Sequence, residues 1–143
     1  MRQYQNRRRG ERGFTLVELL VVLAIIGLLA VLVAPRVIGY LSGAKVDTAK
    51  IQVERLAGVL DLYRLEVGRY PTQEEGLGIL FDRPAQAANW NGPYIRNRES
   101  LNDPWGQPYG YRFPGTHGEF DLFTLGADGR EGGDGENQDI TSW

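Results

Sequence analysis

One stretch constrains this chain more than any other. From Gly13 to Val33 it reads GFTLVELLVVLAIIGLLAVLV, an apolar run with a single charged residue, Glu18. A run of this length is enough to cross a bilayer as a helix. A charge inside such a helix costs about 2.5–3.5 kcal/mol at the membrane centre, less towards the interface, unless something pairs with it. No second charge lies within the run. That predicts a partner on another molecule, and so a protein that assembles. The competing reading is that Glu18, close to the start of the run, snorkels to the interface.

What precedes the run is basic. Arg2, Arg7, Arg8, Arg9 and Arg12 face only Glu11, so the rest of the chain is more acidic than the overall charge of −2. Basic residues flanking an apolar helix stay in the cytoplasm, which predicts the C-terminal portion on the far side of the membrane. An acidic body argues against nucleic acid as a partner. A cleaved secretory signal is disfavoured, because the apolar core is too long and the best small-residue site, Ala34, is followed by Pro35. A plain membrane anchor explains the length and the arginines but not Glu18.

The 143 residues leave room for one membrane segment and one small domain. Cysteine is absent, so that domain has no disulfide and needs a long packed helix, a bound metal or neighbouring subunits. The one histidine, His117, sits in a glycine-flanked turn and reads as a surface residue. With no cysteine, zinc chemistry is all but excluded. None of Ser42, Ser100 or Ser142 lies in a nucleophile motif, so an enzyme is disfavoured.

Beyond Pro35, which should loosen the helix locally, the pattern turns amphipathic. Val46, Ala49, Val53, Leu56, Leu60, Tyr63 and Val67 recur alternately three and four residues apart, one apolar stripe on a helix. Lys45, Asp47, Lys50, Glu54, Asp61 and Arg64 fill the other faces. Gly68 and Tyr70-Pro71 end the helix. From Phe14 to Val67 such a rod would be about 80 Å long, which suits a filament better than a globule. Thr72-Gln73-Glu74-Glu75 predicts a capping box opening a short helix through Phe81. Residues 83–100 read as a loop, tucked against the long helix by Trp90, Tyr94 and Ile95. Asp103-Pro104-Trp105-Gly106 predicts a rigid turn with Trp105 as a core anchor. Tyr109 to Phe113 and Glu119 to Leu125 predict a β-hairpin, with a third strand within Ile140 to Trp143. The fold class is therefore α+β: a long N-terminal helix, membrane-spanning then amphipathic, on a small antiparallel sheet.

Leu125 to Asp139, LGADGREGGDGENQD, sets Asp128, Glu131, Asp134, Glu136 and Asp139 against Arg130 alone. Packed together, these carboxylates repel unless a hard cation gathers them, and glycines let a chain wrap one. The spacing is not that of an EF-hand. Composition alone leaves a calcium site and a solvated acidic loop both open.

Gly13-Phe14-Thr15-Leu16-Val17-Glu18 resembles the prepilin cleavage signature of type IV pilins and pseudopilins. GRYPTQEEGL, NDPWGQPYGY and FDLFTLGADGREGGDGENQDITSW resemble the major pseudopilin of type II secretion, the general secretion pathway protein G type. The resemblance implies a type IV pilin-like fold and a subunit that polymerises into a periplasmic pseudopilus driving export of folded proteins. It implies cleavage after Gly13 by a prepilin peptidase, N-methylation of Phe14, and pairing of Glu18 with the Phe14 amine of a neighbouring subunit. Partners implied are further copies of the chain, minor pseudopilins and the inner-membrane assembly platform. It also implies calcium held by the Leu125 carbonyl, Asp128 and Asp139, with Asp134 and Asn137 as further oxygens. The organisation then reads 1–13 leader, 14–35 membrane and assembly helix, and 36–143 periplasmic domain. That domain divides into an amphipathic helix at 36–68, a variable loop at 69–103, and the hairpin and calcium loop at 104–143. The alternatives within the superfamily are a type IV pilin for adhesion, motility or DNA uptake, and a minor pseudopilin. Outside it, the rival is a monomeric membrane-anchored binding domain. Absent cysteine argues against the first, since many pilins close their C-terminal loop with a disulfide.

Overall fold

A computed structural model describes residues 13–85 and 89–143. The arginine-rich start, on which the expected orientation rests, lies outside the described residues. By its internal contacts the chain falls into two units, Met1–Ile38 and Gly39–Trp143.

One helix, α1, runs over Leu16–Val67, 52 residues, and Pro35 does not interrupt it. Its first part is built from leucine, valine, isoleucine and alanine, and it is long and apolar enough to cross a membrane. There the large apolar side chains point outward unburied, Leu16 at 81% and Leu23 at 69% exposure among them. Water would penalise such a surface, at about 25 cal/mol per Å² of apolar area. Lipid or other helices would not. Gly68 stops the helix: its φ of 88° is a left-handed conformation that glycine adopts freely, and its N–H donates to the Arg64 carbonyl at 2.8 Å.

In the second unit the predicted stripe is the core. Val46, Ala49, Val53, Leu56, Leu60 and Tyr63 are all buried, and Val67 packs partly against them. They meet Leu77, Ile79, Leu80, Ile95, Tyr109, Leu122 and Ile140 in one cluster. Each fully buried leucine, Leu60 and Leu122 included, contributes about 1.5–3 kcal/mol. The tyrosines fix the register by their polar ends. Tyr109 donates to Gln52 Oε1 at 2.6 Å, Tyr111 to the Pro71 carbonyl at 2.8 Å, and Tyr94 to Glu66 Oε2 at 2.6 Å. Burial raises the pKa of both Tyr109 and Tyr111.

The sheet has three antiparallel strands in the order β1-β2-β3: β1 Gly110–Arg112, β2 Asp121–Thr124 and β3 Ile140–Thr141. Tyr111 faces Leu122 and Thr124 faces Ile140. Asp103 makes the turn before β1 rigid. Its Oδ1 accepts the backbone N–H groups of Trp105 at 3.0 Å and Gln107 at 2.8 Å, and its Oδ2 accepts the Thr124 hydroxyl. Trp105 packs partly buried against the core, as expected.

Thr72 and Glu75 do exchange capping-box hydrogen bonds, 2.8 Å from the Thr72 nitrogen and 3.3 Å from that of Glu75. The short helix expected after them forms as a 3-10 helix rather than an α-helix. Gly76, at φ 56°, turns the chain out of the helical region, and only a 3-10 turn, Leu77–Leu80, follows. The loop at 83–100 is anchored as predicted: Ile95 is buried, Tyr94 meets Tyr63 edge-on at 5.6 Å, and Trp90 donates to the Ile79 carbonyl at 2.9 Å. It ends in a second 3-10 turn, Arg98–Leu101, capped by Asn97.

Candidate functional site

Two regions carry the residues singled out by sequence. The first is the start of α1. An added Cβ at Gly13 would meet nothing within 4 Å, and Phe14 is 80% exposed. Glu18 is not without company. Its Oε2 accepts the Thr15 backbone N–H at 2.8 Å and the Thr15 hydroxyl at 3.1 Å, while the Glu18 N–H donates back to Thr15 Oγ1 at 3.2 Å. This is a capping box, Thr15 at the N-cap and Glu18 three residues on. The expectation that Glu18 must look to another molecule for any partner is corrected to that extent. Among the described residues no ion pair joins Glu18, so these hydrogen bonds supply no counter-charge.

The second region is the acidic loop. Glycines let it fold on itself. Gly126 has φ 68°, and a Cβ there would lie 2.5 Å from the Glu136 carbonyl; Gly133 has φ 95°, with the Asn137 carbonyl 2.6 Å away. Any other residue at either position would push the loop open. Ala127 donates to the Glu136 carbonyl at 2.8 Å, which ties the two ends together.

The predicted ligands fall into two groups. Leu125 and Asp139 line one cavity of about 220 Å³, joined by Glu131. Asp139 Oδ2 accepts the Gly132 N–H at 2.9 Å, whereas its Oδ1 is buried with no hydrogen-bond partner among the described residues. An orphaned carboxylate oxygen costs stability unless something meets it, and a hard cation with oxygen neighbours does so. Of the five predicted ligands, Leu125 and Asp139 share this cavity, whose wall also carries Arg112, and the orphaned Asp139 oxygen is the atom a calcium ion would meet. Asp128, Asp134 and Asn137 are exposed and do not line that cavity. Asp128 Oδ1 instead accepts the Arg130 N–H at 3.1 Å, and the Asp134 carbonyl accepts that of Asn137 at 3.1 Å. Among the described residues no three His, Cys, Asp or Glu side chains converge. Glu131 was passed over by sequence reasoning because nothing in its spacing sets it apart from its acidic neighbours.

Residues 36–143 match the family described as Type II secretion system (T2SS), protein G, and residues 8–34 match the Prokaryotic N-terminal methylation motif. The chain is 44% identical over 140 residues to the type II secretion system core protein G of Pseudomonas aeruginosa, covering 96% of this chain and 98% of that protein. It is 41% identical over 141 residues to core protein G of Vibrio cholerae, covering 96% and 95%. Among solved structures it is similar to the major pseudopilin from the type 2 secretion system of enterohaemorrhagic Escherichia coli, with TM-score 0.60, 34% identity, and 74% of this chain and 92% of that chain covered. Likeness to protein G along the whole chain does not favour a type IV pilin or a minor pseudopilin. With its long N-terminal helix and three-stranded antiparallel sheet, the chain belongs to the protein G family of type II secretion, the major pseudopilins.

Proposed function

We propose that this chain is a non-catalytic structural subunit that is processed at Gly13, stands in the inner membrane by the first part of α1, and polymerises through that helix. Its N-terminus faces the cytoplasm and residues 36–143 face the periplasm. Growth of the polymer, fed by an inner-membrane assembly platform and capped by minor pseudopilins, moves folded proteins across the outer membrane. The observation that carries this reading is an apolar helix whose side chains lie bare from Leu16 to Ile38, with one carboxylate near its start.

Cleavage after Gly13 frees an amine at Phe14, and N-methylation leaves it cationic. In lipid, the Glu18 carboxylate of one subunit and the Phe14 ammonium of the next lower each other's cost. The pair sets register more than it adds affinity. Each region then has a role: Phe14 and Glu18 align subunits, the apolar helix holds them together, and the 125–139 loop stiffens the outward domain. Calcium, bound by Leu125 and Asp139 and joined by Asp128, Asp134 or Asn137 as the loop closes, would supply the staple that a cysteine-free domain lacks. Intact mass and N-terminal sequencing of the chain from its host test the first step. A methylated Phe14 start supports the filament subunit; a retained Met1 leaves a plain membrane anchor.

A further inference from the structure

The chain's last residue is held in place from both sides. Ser142 pairs with β2: its N–H donates to the Leu122 carbonyl at 2.9 Å, and its hydroxyl accepts the Leu122 N–H at 3.1 Å. Thr141 Oγ1 donates to the Trp143 carbonyl at 2.9 Å. From that fixed backbone the Trp143 indole lies flat on the His117 imidazole, ring centroids 4.0 Å apart and planes within 3°. Phe123 meets the indole edge-on at 6.4 Å.

His117 is fixed in turn by Asp121, a side chain with no solvent exposure. Asp121 Oδ1 accepts the His117 backbone N–H at 3.0 Å, and Oδ2 lies 3.3 Å from the ring Nδ1. Asp121 thus tethers both the backbone and the ring of His117. The stack joins the hairpin turn to the end of the chain, and both rings wall the cavity that holds Leu125, Glu131 and Asp139. The His117 side chain is 46% exposed and Trp143 is 52% exposed, so neither ring is there to fill the core.

We propose that the Trp143–His117 stack is a latch on the acidic loop, which walls off the Asp139 end of the cavity and slows the escape of a divalent cation. The proposal rests on the reading of Leu125 and Asp139 as calcium ligands. Trp143 and His117 are positioning residues and touch no cation. Their effect is on how long the cation stays.

The test is calcium release from the full-length chain in detergent. Calcium-loaded protein is mixed with excess fluorescent chelator in a stopped-flow instrument, and bound calcium is counted beforehand. Trp143→Ala and His117→Ala should each release calcium roughly three- to tenfold faster, the range an aromatic pair supplies. The double variant should be no faster than either alone, because one contact is lost in all three. His117→Phe, which keeps a ring against the indole, should stay within about twofold of the parent. Unchanged release in Trp143→Ala and His117→Ala, with calcium still bound, overturns the latch and leaves the calcium site standing. A parent chain that holds no calcium overturns the site and the latch together.

Discussion

The carboxylate of Glu18 is held by Thr15 of its own chain, through the backbone nitrogen at 2.8 Å and the hydroxyl at 3.1 Å. The carboxylate thus accepts from two donors of its own chain before any neighbour arrives. Those bonds need no proton transfer and can persist while a neighbouring ammonium approaches the other oxygen. Thr15→Ala removes the hydroxyl that donates to Glu18 Oε2 and accepts the Glu18 N–H, leaving only the backbone donor, and should destabilise the first turn of α1 by about 1 kcal/mol. Faster amide exchange at Leu19 and Leu20 in micelles would show it; protection equal to the parent would count against the capping box.

The stripe on the second half of α1 makes a contrast that unfolding can read. Leu60 is fully buried and Ile51 is 65% exposed on the same helix. Leu60→Ala should cost about 2–5 kcal/mol, as large-to-small changes in cores do. Ile51→Ala should stay within about 0.5 kcal/mol in the unassembled chain. Denaturant midpoints of the two variants in detergent decide it.

Glu75 links stability to pH. Hydrogen bonds from the Arg69 guanidinium, at 2.6 and 2.7 Å, hold its pKa at about 2 against an ordinary 4.5, with burial pulling the other way. A folded value below the unfolded one means stability that is fully present above pH 4.5 and lost as pH falls towards 2. The gap in melting temperature between the parent and Glu75→Gln should therefore narrow between those limits and be constant above them. A gap that widens on acidification would reverse the assignment.

Calcium should raise the melting temperature of the chain, by mass action on the folded state; at a hundred times Kd the gain is about 2.7 kcal/mol. Asp139→Ala should abolish the shift, because its buried oxygen has no hydrogen-bond partner among the described residues. Asp134→Ala, exposed and off the cavity wall, should keep more of it than Asp139→Ala. Equal losses in the two variants would show that the loop closes around a different set of oxygens.

How much of this was legible in the sequence depends on how local each cause is. The buried face of α1 could be read from Val46 to Tyr63 because a 3.6-residue period repeats one geometry many times. The hairpin could be read because glycine and proline punctuate it. The short helix expected after Thr72 was cut to a 3-10 turn by one backbone angle at Gly76, although its capping box formed. Thr15–Glu18 shows the same motif as Thr72–Glu75, yet the cost of charge in lipid drew attention away from the hydroxyl three residues earlier. The Trp143–His117 stack and the orphaned Asp139 oxygen are contacts between distant segments, and no spacing rule encodes them. Among the acidic residues, composition marked the loop but not which oxygens turn inward.

Assembly depends on the charge of Glu18 rather than on its hydrogen bonds, as proposed above, and Glu18→Gln separates the two. Glutamine can still complete the capping box with Thr15, but it offers a neighbouring Phe14 ammonium no counter-charge. The decisive measurement is the amount of filament recovered from cells carrying the secretion apparatus, compared at equal levels of processed, membrane-inserted subunit. Glu18→Gln should be inserted and cleaved but yield little or no filament. Filaments at the parent's level would contradict that dependence on charge.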